Sequence, residues 1–402
     1  MKKLITLAGS VALFAATIVP AIATGNNCSN GTTGPFATNY CTINNTSNVD
    51  VDNVNDAQIT NNVTARTNTG GNTASYNTLG GAIHTGNSTL NATISNVANV
   101  NTTTVSGDPA ASGNTGVNEI TGPESDNRVN INNDRLVDVW NSNTATVTNE
   151  VSVESNTGEN AADYNTGPAS IDTGTAWLRS TVANHVNDNA TGISAGAGGT
   201  GGNTASNSTT GPFSTDYVTV NNTSDIDVDN VNDLIVGNWV EALANSGRNS
   251  TSYTTLGGVI DTGVAGANVG VNTEGNINTT TIQMAMGGFA NNAGNEITGP
   301  YSDNREELLN SQEVEVENWN NKCRSHNADR LEGLDELLTQ TESNGECDVA
   351  DLGVFNYDSD EVNTGENAAD YNTLGGGVVS GMSDLVKSIL THLNDTLTVI
   401  EQ

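Results

Sequence analysis

The sequence predicts an all-β repeat protein: a β-solenoid or β-helix-like stack of four repeats of about 88 residues, each divisible into two units of about 44. Three observations carry this. Motifs return at fixed offsets, asparagines keep their phase within each repeat, and apolar and polar residues alternate in short runs.

The offsets come first. Thr32-Thr33-Gly34-Pro35-Phe36 returns at Thr209 to Phe213, Asp50 to Asp56 at Asp227 to Asp233, and Asn118 to Pro123 at Asn295 to Pro300, each 177 residues on. Asn156 to Tyr164 returns at Asn363 to Tyr371 after 207 residues, which locates an insertion of about 30 near 322–351. Thr-Gly-Pro or Thr-Leu-Gly-Gly motifs at Gly34, Gly80, Gly122, Gly167, Gly211, Gly257, Gly299 and Gly375 mark eight half-repeats.

The asparagines follow the same clock. Asn45, Asn53, Asn61, Asn68 and Asn77 recur 88 residues later at Asn133, Asn141, Asn149, Asn156 and Asn165. The third series is Asn222, Asn230, Asn238 and Asn245, with Thr254 in the fifth place. The fourth is Asn310 and Asn318, then Asn356, Asn363 and Asn372 beyond the insertion. Between them, runs such as Val137, Val139 and Ile226, Val228 alternate with polar residues, the period of a strand with one buried face. Bounded by Asn, Gly and Pro, these runs read as short strands joined by turns.

Two architectures fit. In a solenoid, coils of about 22 residues would fit two to each unit, with stacked Asn ladders along the axis. Alternatively, each repeat of about 88 residues would be its own immunoglobulin-like β-sandwich. The solenoid is preferred, because fixed-phase Asn suits a ladder and Trp140, Trp177, Trp239 and Trp319 share no repeat phase, as a sandwich core would require.

At the ends, residues 1–23 read as a secretory signal: Lys2 and Lys3, an apolar run, then Ala21-Ile22-Ala23. The repeats are then 24–120, 121–208, 209–297 and 298–402. The insertion, 322–351, reads as a helix capped by Asn327, with Leu331, Leu334, Leu337 and Leu338 at helical spacing. The segment from Ser383 onward fits either a helix or a last repeat strand, since Ile389 and Asn394 match the phase of Val182 and Asn187; it caps the stack in both cases. In an exported chain the cysteines are expected to pair locally, Cys28 with Cys41 and Cys323 with Cys347; metal ligation is the alternative, disfavoured by the absence of CxxC spacing.

Composition narrows function. Asn (62), Thr (54) and Gly (43) make up about 40% of 402 residues, and the net charge is −34. Such a surface repels nucleic-acid phosphates and anionic lipid. No second apolar run is long enough to span a bilayer. No Gly-x-Ser-x-Gly or His-Glu-x-x-His motif appears, and the four His fall at unrelated phases. Gly196 to Gly202 reads as a linker rather than a phosphate loop. Asp126 with Arg128, echoed by Asp303 with Arg305, reads as a structural ion pair. Metal is the one chemistry with support. Asp50, Asp52 and Asp56, recurring as Asp227, Asp229 and Asp233, place carboxylates at strand spacing and suit Ca²⁺; a solvated acidic strand face is the alternative.

Asn156-Thr157-Gly158-Glu159-Asn160-Ala161-Ala162-Asp163-Tyr164-Asn165 resembles the Gln-x-Gly-x-x-Asn-x-Ala repeat of curlin, the subunit of bacterial amyloid-like surface fibres, though it differs in residue type and by one residue in spacing. The repeat region as a whole resembles Asn/Thr/Gly-rich secreted bacterial surface proteins. The resemblance implies stacked polar ladders and a surface role; it carries over no fibre-assembly residue. The expectation is a secreted, non-enzymatic structural or adhesin protein of the cell surface or matrix, self-assembling and calcium-stabilised, with surface components, its own copies and divalent cations as partners. A polysaccharide-binding or polysaccharide-degrading β-helix is the other reading.

Overall fold

The computed structural model describes residues 2–18, 25–106, 113–195, 202–284, 291–320, 354–393 and 395–401, and these are all strand and turn. The chain winds four times around a flat, two-layered slab. The first coil holds β2 (Asn27–Asn30), β3 (Thr38–Asn68), β4 (Gly81–His84) and β5 (Ser88–Ser106). The second holds β6 (Thr115–Thr121), β7 (Asp126–Asn156), β8 (Ala169–Asp172) and β9 (Ala176–Ala195). The third holds β10 (Thr204–Thr210), β11 (Thr215–Asn245), β12 (Gly258–Asp261) and β13 (Ala265–Met284). The fourth holds β14 (Asn292–Glu296), β15 (Asp303–Asn320), β16 (Val354–Asn363), β17 (Gly376–Val379), β18 (Ser383–Leu393) and β19 (Thr396–Glu401).

Each strand pairs in parallel with its equivalent one coil away. Thr38 stands beside Asp126, Asp126 beside Thr215, and Thr215 beside Asp303, offsets of 88, 89 and 88; beyond the insertion Val236 stands beside Val354, an offset of 118. Four parallel sheets result, β3-β7-β11-β15 forming one long face and β5-β9-β13-β18 the other. β1 (Lys2–Ile18), the segment read as a leader, runs parallel to β5 at the edge of the second face.

The repeat therefore builds a solenoid, and tandem sandwiches are excluded because strands of successive repeats share a sheet. The coil is the whole repeat, however, and not 22 residues. β3, β7 and β11 each run 31 residues without a corner, about 100 Å at the usual rise of about 3.3 Å per residue. Each unit of about 44 residues is one crossing of the slab. The expectation of short strands failed because Asn45, Asn53, Asn55 and Asn61 do not break them. They share the parity of Val49 and Val51, point inward, and are hydrogen-bonded there. The insertion read as a helix lies outside the described residues. The C-terminal segment is strand: Ile389 takes its place beside Val271, which pairs with Val182.

The apolar core runs in columns between the layers. Val51, Val139 and Val228 stack, with Val316 above them, and face Val105, Ile193 and Ile282 across the slab. The inner coils bury these side chains completely; Val139, Val228 and Ile282 are all 0% exposed. Corners stack backbone on backbone. A Cβ on Gly158 would sit 2.0 Å from the Gly247 carbonyl oxygen, whereas one on Gly237 meets nothing. Gly158→Ala is thus expected to destabilise the fold by about 1–3 kcal/mol. Gly237→Ala should be near neutral, and chemical denaturation of the pair checks this.

Candidate functional site

The interior between the two long faces is a hydrogen-bonded grid of asparagines. Asn55 Nδ2 donates across the slab to Asn101 Oδ1 (2.7 Å) and along the axis to Asn143 Oδ1 (2.9 Å). Asn101 Nδ2 donates to Asn143 (2.9 Å) and Asn189 (2.8 Å). Asn143 Nδ2 then donates to Asn189 (2.8 Å) and Asn232 (2.8 Å). Asn143 thus uses both amide hydrogens and accepts two bonds at its oxygen, which satisfies the primary amide completely while it is 1% exposed. Asn61, Asn96, Asn149, Asn184 and Asn238 form a second grid of the same kind, at 2.7–3.1 Å. The partners across the slab fell outside the five asparagine positions read from the sequence. Their signal was present: Asn101 and Asn189 share the 88-residue offset too.

Corner positions carry aromatic side chains in the left-handed backbone region. Tyr76, Tyr164, Tyr253 and Tyr371 have φ of 64°, 57°, 60° and 57°. Their rings stack at 4.9, 4.9 and 4.8 Å between centroids, with nearly parallel planes. Such φ values strain a bulky residue, and ring stacking at one coil's spacing offsets part of that. The opposite end repeats the device, Phe213 stacking on Tyr301 at 5.2 Å, and adds charge. Arg128 lies between the rings of Tyr40 (5.3 Å) and Tyr217 (5.4 Å), and Arg305 covers Tyr217 at 5.3 Å. Asp126 binds Arg128 at 2.9 Å and accepts from the Tyr40 hydroxyl at 2.8 Å; Asp303 binds Arg305 at 3.6 Å. Burial pulls the Asp126 carboxyl up, but the hydrogen bonds from Arg128 and Tyr40 outweigh it and hold the group below its ordinary value. The sequence reading of these as ion pairs agrees with this geometry.

The aspartates singled out in the sequence all lie on the outer side of the β3-β7-β11-β15 face. Asp50 and Asp52 do share a face, but Asp50 and Asp227 are not neighbours, because Asp138 stands between them and Glu315 follows. Asp52, Trp140, Asp229 and Glu317 form the next column, and Asp56, Thr144 and Asp233 another. Asp138 and Glu315 were missed because their segments do not repeat the Asp-Val-Asp-Asn motif, although both sit at its offset. Among the described residues no three carboxylate, His or Cys side chains converge into a ready-made metal cage. What the face presents is a sheet of like charges one strand apart, at about 4.8 Å. Partial burial and then Asp227, Asp50 and Asp52 raise the Asp138 pKa; burial and Asp227 raise that of Asp229; Glu317 and Asp227 raise that of Glu315.

On the opposite face the hydrogen bond to Asp188 (2.9 Å), more than offsetting burial, raises the His185 pKa. These shifts agree in sign. A carboxyl raised on folding binds protons better in the folded chain, so stability grows as pH falls through its folded value. The contribution of His185 is complete below the ordinary histidine value and is lost as pH rises through its raised one. The melting temperature is therefore expected to be higher near about pH 5.5 than near about pH 7.5; a fluorescence melt across that range checks it. Asp126 opposes the trend only at more acidic pH, where its depressed value is crossed.

Cys28 and Cys41 are bonded, with Cα atoms 5.7 Å apart, and pin β2 across the slab to β3. Cys323 and Cys347 lie outside the described residues. Comparisons with protein-family models, with curated proteins and with solved structures find no match to this chain.

Proposed function

We propose that the chain is an exported, non-enzymatic structural protein of the cell surface or extracellular matrix: a rigid stalk, adhesin or assembly subunit. The asparagine grid carries this reading. It joins both layers and all four coils, Asn232 donating on to Asn320, through amide–amide hydrogen bonds, which favours stiffness over a moving or reacting interior. The outer carboxylate columns support a second part of the proposal, stabilisation by divalent cations, calcium foremost, because closely spaced charges of one sign gain from a shared counter-ion. Partners in this reading are surface or matrix components, further copies of the chain, and cations. Electron microscopy of the protein with and without calcium, read beside its melting temperature in CaCl₂ and in NaCl of equal ionic strength, tests it. Rigid slabs or filaments and a calcium-specific rise are expected; flexible particles with equal shifts in both salts would sink it.

One feature favours the alternative of a polysaccharide-binding or polysaccharide-degrading β-helix. An open hollow of about 460 Å³ is lined by Glu124, Ser125, Asp126, Phe213 and Thr215, an exposed ring beside two carboxylates. Turnover of a polyuronate or neutral glycan by the purified protein would replace the structural reading with this one.

A further inference from the structure

One interior position changes its chemistry as a unit in the fourth coil. In the third coil Val240 and Ala242 on β11 pack with Val269 on β13, exposed by 0%, 2% and 1%. In the first coil the equivalents are Val63, Ala65 and Ala92, all buried in the same cluster. The fourth coil places Asp358 beside Val240, Asp360 beside Ala242 and Lys387 beside Val269. Two carboxylates on one layer and an amine on the other thus replace an apolar contact together. Lysine is scarce in this chain, with four in 402 residues, at 2, 3, 322 and 387.

The geometry is close. Lys387 Nζ lies 3.3 Å from Asp358 Oδ2 and 3.2 Å from Asp360 Oδ2. The carboxylate side chains are 6% and 0% exposed, the lysine 40%. Despite the proximity, all four carboxylate oxygens are buried without an aligned hydrogen bond. A buried carboxylate left so is costly, and an amine held against it gains the effective concentration of an intramolecular reaction.

We propose that Lys387 and Asp358 join in an intramolecular isopeptide bond, with Asp360 as the proton carrier. The ammonium gives a proton to Asp360, and the freed Nζ attacks Cγ of Asp358. The N–C bond forms, a C–O bond of the carboxyl breaks, and that oxygen leaves as water with the protons returned through Asp360. Overall an ammonium and a carboxylate become an amide and a water, with charge conserved and no electron transferred. Asp360 suits its role because burial first, and then Asp358, push its carboxyl up to about 6, so a proton is within its reach near neutral pH. The bond ties β16 to β18 across the slab and removes the buried charge of Asp358 together with the ammonium that faces it.

This holds or fails independently of the surface role, since the bond is read in the chain itself. The folded full chain is denatured and digested with a glutamate-specific protease, which cuts between the two positions at Glu361 and Glu366. Mass spectrometry is expected to find one branched peptide carrying Asp358 and Lys387, lighter by one water than the two linear peptides together. Asp358→Asn should still branch, now with loss of ammonia, because an amide carbonyl accepts the same attack. Lys387→Arg should not branch, and Asp360→Asn should lose most of the branching while circular dichroism shows an unchanged fold. Linear peptides alone from the folded native chain would overturn the proposal, leaving a plain ion pair; undiminished branching in Asp360→Asn would overturn the role of Asp360.

Discussion

Replacing Asn143 by alanine is expected to destabilise the protein by about 4 kcal/mol or more. The substitution removes two donors and a doubly used acceptor from a site 1% exposed. Asn55 and Asn101 are then left with a hydrogen each and no acceptor, and Asn189 and Asn232 with an oxygen that has lost one donor. Each orphaned buried group costs about 1–3 kcal/mol, and the grid makes the orphans simultaneous. Asn44→Ala is the control. Asn44 accepts from Asn132 at 2.8 Å one coil away, a pair that lies on the exposed side of the same strands, where water replaces the lost partner. Its effect should fall within about 0.5 kcal/mol. Urea denaturation of both variants decides the point, and equal losses would show that the interior grid contributes no more than a surface ladder.

That contrast also explains what the sequence made legible. The repeat offsets gave the stack, since an in-register parallel sheet places residue i beside residue i + 88, and any residue that must contact its equivalent betrays the period. Asn53, Asn141, Asn230 and Asn318 are such residues, at 2.7, 2.7 and 2.8 Å. The coil length was harder to read. Asparagine is common in turns, so its regular spacing invited a reading of short strands with corners between. Only parity separates the two cases. Asn45, Val49, Val51, Asn53, Asn55, Ile59 and Asn61 are all odd-numbered and so all face one way in an uninterrupted strand. The acidic positions were half legible for a related reason. Asp50 and Asp227 are conspicuous as a repeated motif, yet the charge that lies between them in space, Asp138, belongs to a repeat whose motif reads Val-Asp-Val-Trp. The change at Asp358, Asp360 and Lys387 was invisible without the register that aligns them with Val240, Ala242 and Val269.

Removing one whole coil should leave a folded protein, and removing half of one should not. Deletion of residues 126–214 takes out 89 residues, the offset between β7 and β11, and joins Ser125 to Thr215. β11 then meets β3 directly: Tyr217 against Tyr40, Asn222 against Asn45, Ile226 against Val49, Val228 against Val51, Asn230 against Asn53 and Asn232 against Asn55. On the other face Asn276 meets Asn99, both of which pair with Asn187 in the full chain, and Asn278 meets Asn101. Every amide in that set finds an amide and every apolar side chain an apolar one, so the shortened chain keeps the β-sheet circular dichroism spectrum and a cooperative melt. Its melting temperature is lower, because one coil and one of three coil–coil interfaces are gone. Deletion of residues 126–169, 44 in all, removes β7 and leaves a return strand with no outward strand to follow. The layers can then no longer close, and Asn184 and Asn189 lose the partners they meet across the slab in Asn149 and Asn143. That chain should be unfolded. If the half-coil deletion folded as well as the full one, the coil would have to be the shorter unit, and the slab that positions the grid, the acidic face and the Lys387 cluster would be wrong with it.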